Sequence, residues 1–258
     1  MEDILRKIEE NTAPKDSFQI TMSNNKTDFI TRFNPPLQLK KGKQYEMALL
    51  NLETYYSFPN IDSTNNNFKY SPDGGSNWFT VTIPEGSYEI RDIDAAIKQQ
   101  MKTNGHYDSQ NDNQKYYVSF TANSSTLKTI LTLDNNYQVD FTLNNSLRHL
   151  FGFNSAIYTE SYQESEGVVN IVSINSILVN VDIITGSYVN GRMQPVIYSF
   201  FPKVSPGYKI VEKPSHLKHL PVTLDTVANL RTYVTDQDGN LLNLRGEVVT
   251  IRLDIREK

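Results

Sequence analysis

From residue 17 onward apolar and polar positions alternate, the pattern of strands that set one face against a core. In the stretch 175–183, Ile177, Val179, Val181 and Ile183 fall on one side, with Ser176, Asn180 and Asp182 on the other. That spacing predicts a half-buried strand. The stretch 248–256 alternates most cleanly, Val249, Ile251, Leu253 and Ile255 against Thr250, Arg252, Asp254 and Arg256. By contrast 45–52 is apolar on both sides, which predicts a central strand covered twice. Further strands are predicted near 18–22, 28–33, 78–83, 116–122, 127–133, 137–141, 195–201, 208–211 and 230–235. Turn chemistry separates them, at Asn34-Pro35-Pro36, Asp73-Gly74-Gly75, Asn135-Asn136, Ser205-Pro206-Gly207 and Asp238-Gly239.

Two segments inside the body have helical spacing instead. Ile90, Ile93, Ile97 and Met101 form one stripe, stopped at Asn104-Gly105. A shorter helix is predicted over about 145–151, with Leu147, Leu150 and Phe151 inward and Gly152 ending it. Residues 1–16 stand apart: Ile4, Leu5 and Ile8 form a short apolar stripe and Pro14 ends any helix there. This is either a frayed terminal helix or an arm that orders against a neighbouring chain. No repeat and no linker divides the rest. The expected fold is therefore all-β, a single jelly-roll β-sandwich over 17–258 with loop insertions and two short embedded helices.

Composition narrows the function classes. The 258 residues (29.5 kDa) include no cysteine, which excludes disulfides, thiol nucleophiles and cysteine-ligated metals, and fits assembly in a reducing compartment. A net charge of −4 carries no polyanion-binding signal, so no sequence-specific nucleic-acid contact is expected. The first ten residues are too charged for a signal-peptide core, and no apolar run is long enough to span a bilayer. Sequons at Asn25, Asn123 and Asn144 are matched by chance in so Asn-, Ser- and Thr-rich a chain.

Candidate chemistry is sparse. His216 and His219 are three apart, bracketed by Pro214 and Pro221, with no glutamate between them to act as a base. Asp236, Asp238, Asn240 and Glu247 partly mimic a calcium loop, but Leu241 stands where the sharp turn needs glycine. A β-hairpin tipped by Asp238-Gly239 is the simpler reading. Nucleophile-elbow, phosphate-loop and dinucleotide signatures are all missing, so neither catalysis nor a cofactor is expected. Lys203, Lys209, Lys213 and Lys218 face only Glu212 in their stretch, either a solvated face or a contact with an acidic surface. The loop aromatics Tyr55, Tyr56, Phe58, Tyr158 and Tyr162 either roof the sandwich or serve an interface.

Three collinear motifs carry a resemblance. Val81-Thr82-Ile83-Pro84-Glu85-Gly86-Ser87-Tyr88, running into the first helix, resembles a signature of the adenoviral penton base. Pro84 and Gly86 suit a type I turn from strand to helix. Val139-Asp140-Phe141-Thr142 followed by Leu147-Arg148-His149-Leu150-Phe151-Gly152 is similar to the family's strand and short helix. Asp238-Gly239-Asn240-Leu241-Leu242-Asn243-Leu244-Arg245 and the strand after it are similar to its closing hairpin. The matches cover about 78–153 and 235–258. The compact size looks more like the pentons of virophages, Polinton/Maverick elements and adintoviruses.

The resemblance implies a capsid protein forming pentamers at the five-fold vertices of an icosahedral shell. It would be located in the virion after assembly in the host nucleus or cytoplasm. Its implied partners are four further copies of itself and the major capsid protein, with a receptor-binding fibre as a further candidate. No Arg-Gly-Asp motif is present, so integrin binding does not carry over. Residues 1–77 and 154–230 do not align. Two rival classes share the fold: a lectin-like carbohydrate-binding sandwich, and a hydrolase on a jelly-roll scaffold.

Overall fold

The computed structural model describes residues 16–109, 115–134, 136–171 and 174–258. The arm expected over 1–16, apart from Asp16, and Asn135 of the Asn135-Asn136 turn lie outside the described residues. The chain groups into two compact units, one of Met1–Ser57 with Ile174–Lys258 and one of Phe58–Ser173. The expected single body is thus a jelly roll carrying one large insertion, and both expected helices belong to the insertion.

The roll begins with β1 (Ser17–Asn24), β2 (Asp28–Gln38) and β3 (Tyr45–Tyr55). The inserted unit follows with β4 (Asn67–Ser71), β5 (Phe79–Thr82), α1 (Ile90–Thr103), β6 (Val118–Asn123) and β7 (Lys128–Leu133). It ends with β8 (Gln138–Asp140), α2 (Arg148–Phe151), β9 (Ile157–Tyr158) and β10 (Tyr162–Glu164). The roll resumes through β11 (Ile177–Val181), the hairpin β12 (Tyr188–Val189) and β13 (Arg192–Met193), and β14 (Val196–Phe200). It closes with β15 (Lys209–Glu212), β16 (Leu220–Pro221), β17 (Thr226–Thr235) and β18 (Val249–Glu257).

Two antiparallel sheets make the roll. One runs β1-β18-β3-β15, with β16 also on β3, and the other runs β14-β11-β17-β2. In the first, antiparallel register sets Ile20 and Leu49 beside Leu253, and Met22 and Leu52 beside Ile251, so their side chains share one face. Ile251, Leu253 and Ile255 are fully buried there. The second sheet supplies Val179, Val181, Leu230 and Val234. The sheets meet where the Thr232 hydroxyl donates to Met22 Sδ at 3.9 Å. At one flank β14 and β15 adjoin, the Tyr198 hydroxyl donating to Glu212 at 3.0 Å. At the other, β1 and β2 are joined through residues 25–27.

Three strand expectations change. The run 45–52 is apolar on both sides because the register with β18 shifts at Arg252/Leu253, leaving Leu50 unopposed. Met47 and Leu49 before that bulge and Leu52 after it then reach the same face. Strand β11 is buried throughout rather than half-buried, and Asn180 is accommodated by donating to the carbonyls of Leu178 (3.2 Å) and Tyr233 (3.3 Å). Asn34-Pro35-Pro36 lies inside β2 instead of ending it. That strand is a sheet edge, and its register shifts between Val227 and Asn229, so the prolines owe no ladder bond.

The inserted unit has its own core. Sheets β5-β4-β8-β9 and β10-β7-β6 enclose the rings of Phe68, Tyr70, Phe120, Phe141 and Phe151, with Phe120 and Phe151 stacked at 4.4 Å. Helix α1 buries the predicted stripe of Ile90, Ile93, Ile97 and Met101. Glu89 and Asp92 form a reciprocal capping box at its start. At its end Gly105 takes φ +74° and His106 N–H reaches the Met101 carbonyl, as the stop signal predicted.

Leu253→Ala should cost about 2–5 kcal/mol, because its neighbours on β1 and β3 cannot collapse into the void. Equilibrium urea denaturation checks this; a loss within error of zero would mean that the ladder is not the roll's core.

Candidate functional site

The residues singled out in the sequence divide between the units. In the roll, Tyr55 ends β3 and is 44% exposed, while Tyr56 is half-buried, its hydroxyl pKa raised by burial. Beside them lies edge strand β15, with Tyr208 and Val211 exposed. Register pairs Lys209 with Tyr55 and Val211 with Glu53. Lys209 Nζ donates to Glu53 Oε2 at 2.7 Å, and Arg252 binds the other oxygen of that carboxylate. The two cations, Lys209 first, hold the Glu53 carboxyl at about 2, against an ordinary 4.5. Lys209 therefore answers an internal carboxylate. Lys203, Lys213 and Lys218 are exposed and have no ion-pair partner among the described residues. The β14/β15 flank thus presents aromatic and aliphatic surface with uncompensated positive charge.

His216 and His219 have different partners: His216 adjoins Ser215, whereas His219 Nε2 lies 3.0 Å from Asp254 with its side chain buried. At the closing hairpin, Asp236 Oδ1 accepts the N–H groups of Asp238 and Asn240 at 2.9 Å each, and Gly239 takes φ +88°. Asp236 is thereby committed to its own backbone turn. Among the described residues no three acidic or histidine side chains converge in a metal-holding arrangement. No helix there is long and apolar enough to cross a membrane.

In the inserted unit the first motif is a clasp rather than a turn. Gly86 N–H donates to the Ile61 carbonyl at 3.0 Å, and the Gly86 carbonyl accepts from Asn60 and Ile61, also at 3.0 Å. The hydrogen bond that would close the type I turn expected from Pro84 and Gly86 is not made, since the Gly86 amide is taken by Ile61. Pro84 and Glu85 stand exposed at the bend. A Cβ on Gly86 would lie 2.6 Å from the Tyr88 ring, so glycine is needed for close approach. Asn60 brackets Tyr88 at both ends: its amide donates to the Tyr88 carbonyl at 2.7 Å and accepts the Tyr88 N–H at 2.9 Å. Asn60 also donates to the Ile171 carbonyl at 2.9 Å. Sequence reading missed Asn60, whose partners lie 28 and 111 positions away.

The second motif is structural. Asp140 is buried, accepts the Thr142 N–H at 2.7 Å and lies 3.8 Å from Lys69 Nζ. Leu147 and Leu150 are core residues. Gly152 caps α2 at φ +80°, where a Cβ would stand 2.4 Å from the Gly167 carbonyl oxygen. Two expected interface aromatics turn inward: Phe58 is 4% and Tyr158 8% exposed, and Tyr158 joins the core of the inserted unit. The Tyr158 hydroxyl donates to Glu166 at 2.9 Å, and burial, then that carboxylate, push its pKa up to about 12. Tyr162 remains 59% exposed. Further exposed apolar residues had no sequence signal: the cross-strand pair Tyr188–Met193 on the β12–β13 hairpin, and Leu127 and Val168 beside a groove in the inserted unit.

No family model and no curated protein matches the chain in sequence. Among solved structures, the penton protein of mavirus is similar over 95% of this chain and 100% of its own, with a TM-score of 0.51 at 10% identity. The flagellar cap protein FliD of Escherichia coli (domains D1-D2-D3) is matched over 85% of this chain and 55% of its own at 12% identity, but with a TM-score of 0.23. Only the first of these bears on the fold.

Two outcomes are expected. Gly152→Ala should lower stability by more than Gly105→Ala; both pay on the order of 1–3 kcal/mol for a left-handed alanine, but only Gly152 meets backbone within 4 Å. Thermal melts showing equal losses would refute the close contact. For Glu53, a depressed carboxyl stabilises the fold fully above its ordinary 4.5 and loses that effect as pH falls towards about 2. The wild-type advantage over Glu53→Gln in urea midpoint should be constant above 4.5 and vanish near 2; an advantage independent of pH would contradict the pairing.

Proposed function

We propose that this chain is a capsid vertex protein, acting by association rather than turnover, five copies closing a ring at the five-fold positions of an icosahedral shell. The observation that carries the reading is the end-to-end correspondence of roll plus insertion with a viral penton protein. The three motif resemblances add to it, since they lie in the insertion and in the closing hairpin and strand of the roll. The roll's form also suits a ring. Its two flanks differ, β1/β2 on one side and β14/β15 on the other, and a closed ring with an odd number of copies needs two unlike surfaces meeting head to tail. Tyr55, Tyr56, Lys203, Lys209 and Lys213, with Tyr208 and Val211, would then face a neighbouring copy or capsomer. Tyr162 is a second candidate contact on the inserted unit. The major capsid protein would be the lateral partner and the virion the location, with a fibre partner left unassigned.

Native mass spectrometry of the purified chain at micromolar concentration should give a species of five times 29.5 kDa. Combined Lys203→Glu and Lys213→Glu should shift that population towards single copies whose circular-dichroism spectrum matches that of the wild-type chain. A wild-type chain strictly monomeric or dimeric under these conditions would count against a self-assembling ring.

A further inference from the structure

Two strand edges, one on each unit, carry backbone groups that no neighbouring strand takes up. Strand β10 is the outermost strand of its sheet, and β15 lies at the end of the sheet order β1-β18-β3-β15. The Leu133 N–H donates to the Ser161 carbonyl at 3.0 Å, and the Ser165 N–H to the Thr129 carbonyl at 2.8 Å. Antiparallel alternation then bonds Gln163 to β7 and turns the N–H and carbonyl of Tyr162 and Glu164 outward. On β15 the Tyr208 carbonyl accepts the Tyr56 N–H at 2.9 Å. The same alternation bonds Ile210 to β3 and turns the N–H and carbonyl of Lys209 and Val211 outward. Each edge is a template for one more strand.

The two edges differ in the sign of their charge. From Leu150 to Gly191 the sequence contains Glu160, Glu164, Glu166 and Asp182, and no lysine or arginine. Glu164 accepts from the Asn123 amide at 2.6 Å and Glu166 from the Tyr158 hydroxyl at 2.9 Å, both neutral donors. Lys128, on the neighbouring stretch of β7, forms no ion pair with them among the described residues. The β15 edge carries Lys209 and, just past the strand, Lys213, with Val211 between them. Set antiparallel, one register matches every outward position: Glu164 falls opposite Lys209, Tyr162 opposite Val211 and Glu160 opposite Lys213. A shift of two residues either way keeps at most one glutamate–lysine pair. Pairing either edge with its own kind would crowd glutamates on glutamates or lysines on lysines, which disfavours a symmetric contact.

We infer that β10 of one copy adds antiparallel to β15 of the next in this register, so that the partner of each edge is a second copy of the chain. The inference rests on the proposed ring and names its contact. Tyr162 and Val211, both exposed in the single chain, then cover one another. Lys209 can turn to Glu164 because Arg252 stays on the Glu53 carboxylate. Each copy gives one edge and receives another, so the contact repeats around the ring without leaving either edge open.

The chain contains no cysteine, so a pair of single-cysteine variants tests the register directly. Full-length Tyr162→Cys and Val211→Cys are mixed and treated with diamide as the thiol oxidant. Directly opposed positions of this kind stand about 5.5 Å apart between Cα atoms, within disulfide reach. A disulfide in the mixture, with little in either variant alone, is expected. Since each copy carries one thiol, any link joins two copies. Glu160→Lys and Lys213→Glu should each raise the concentration of half-assembly by roughly tenfold or more. Combining the two reversals in one chain should restore assembly, a rescue that misfolding would not give. No link in the mixture, equal links in all three samples, or a combined variant as weak as the single ones overturns the strand contact. A five-membered species in native mass spectrometry without the link sinks this inference alone. The link together with dimers or open-ended chains of copies sinks the ring and leaves the strand pairing assigned.

Discussion

The roll depends on one strand from late in the sequence lying between two from its start. Strand β18 is laddered to β1 on one side and β3 on the other. Phe18, Ile255 and Met47 line up across it, as do Ile20, Leu253 and Leu49. A slip of one residue would turn every one of these side chains outward. The opposite face reinforces the same register with charge. Arg256 pairs with Glu46 and Arg252 with Glu53, and those partners are set only when the apolar face is in place. Hydrophobic burial supplies the energy; the exposed ion pairs add little energy but penalise misalignment.

The inserted unit solves the same problem with different material. Its sheets are short, and a cluster of stacked and tilted rings shares the space between them with aliphatic side chains from strands and helices. Aromatic side chains bury large area from few positions, which suits strands of two to six residues. That core is self-contained, and the groove and exposed Tyr162 lie on the surface of the same unit. The roll uses its flank in the same way. Tyr55, Tyr208 and Val211 surround the Glu53–Lys209 pair without taking part in the core.

What was legible followed from local periodicity. Alternation in 248–256 and the stripe Ile90–Ile93–Ile97–Met101 located β18 and α1 because each pattern is set by its own backbone period. Phe58 and Tyr158 could not be decided between core and interface because burial of a loop aromatic depends on what packs over it, here Phe141 and Phe153 in the case of Tyr158. The apolar run in β3 is the central strand it was read as, but part of its two-sided pattern comes from a bulge, which shifts the phase of alternation and depends on the partner strand. Asn60 was invisible for a related reason: its three partner groups converge only after folding. The insertion itself left no mark, since its ends have neither the composition nor the length of a linker.

The placement of β18 also bears on synthesis at the ribosome. The inserted unit can complete its core once residue 171 has emerged, since every strand it pairs lies between 67 and 164. The roll cannot. Strands β1 and β3 come first yet stay apart until residues 249–257 arrive to fill the gap between them. Through most of translation they are two unpaired edges carrying Ile20, Met22, Leu49 and Leu52, beside a unit that is already folded. A cell translating many copies at once would therefore hold a population of half-built rolls with these edges exposed.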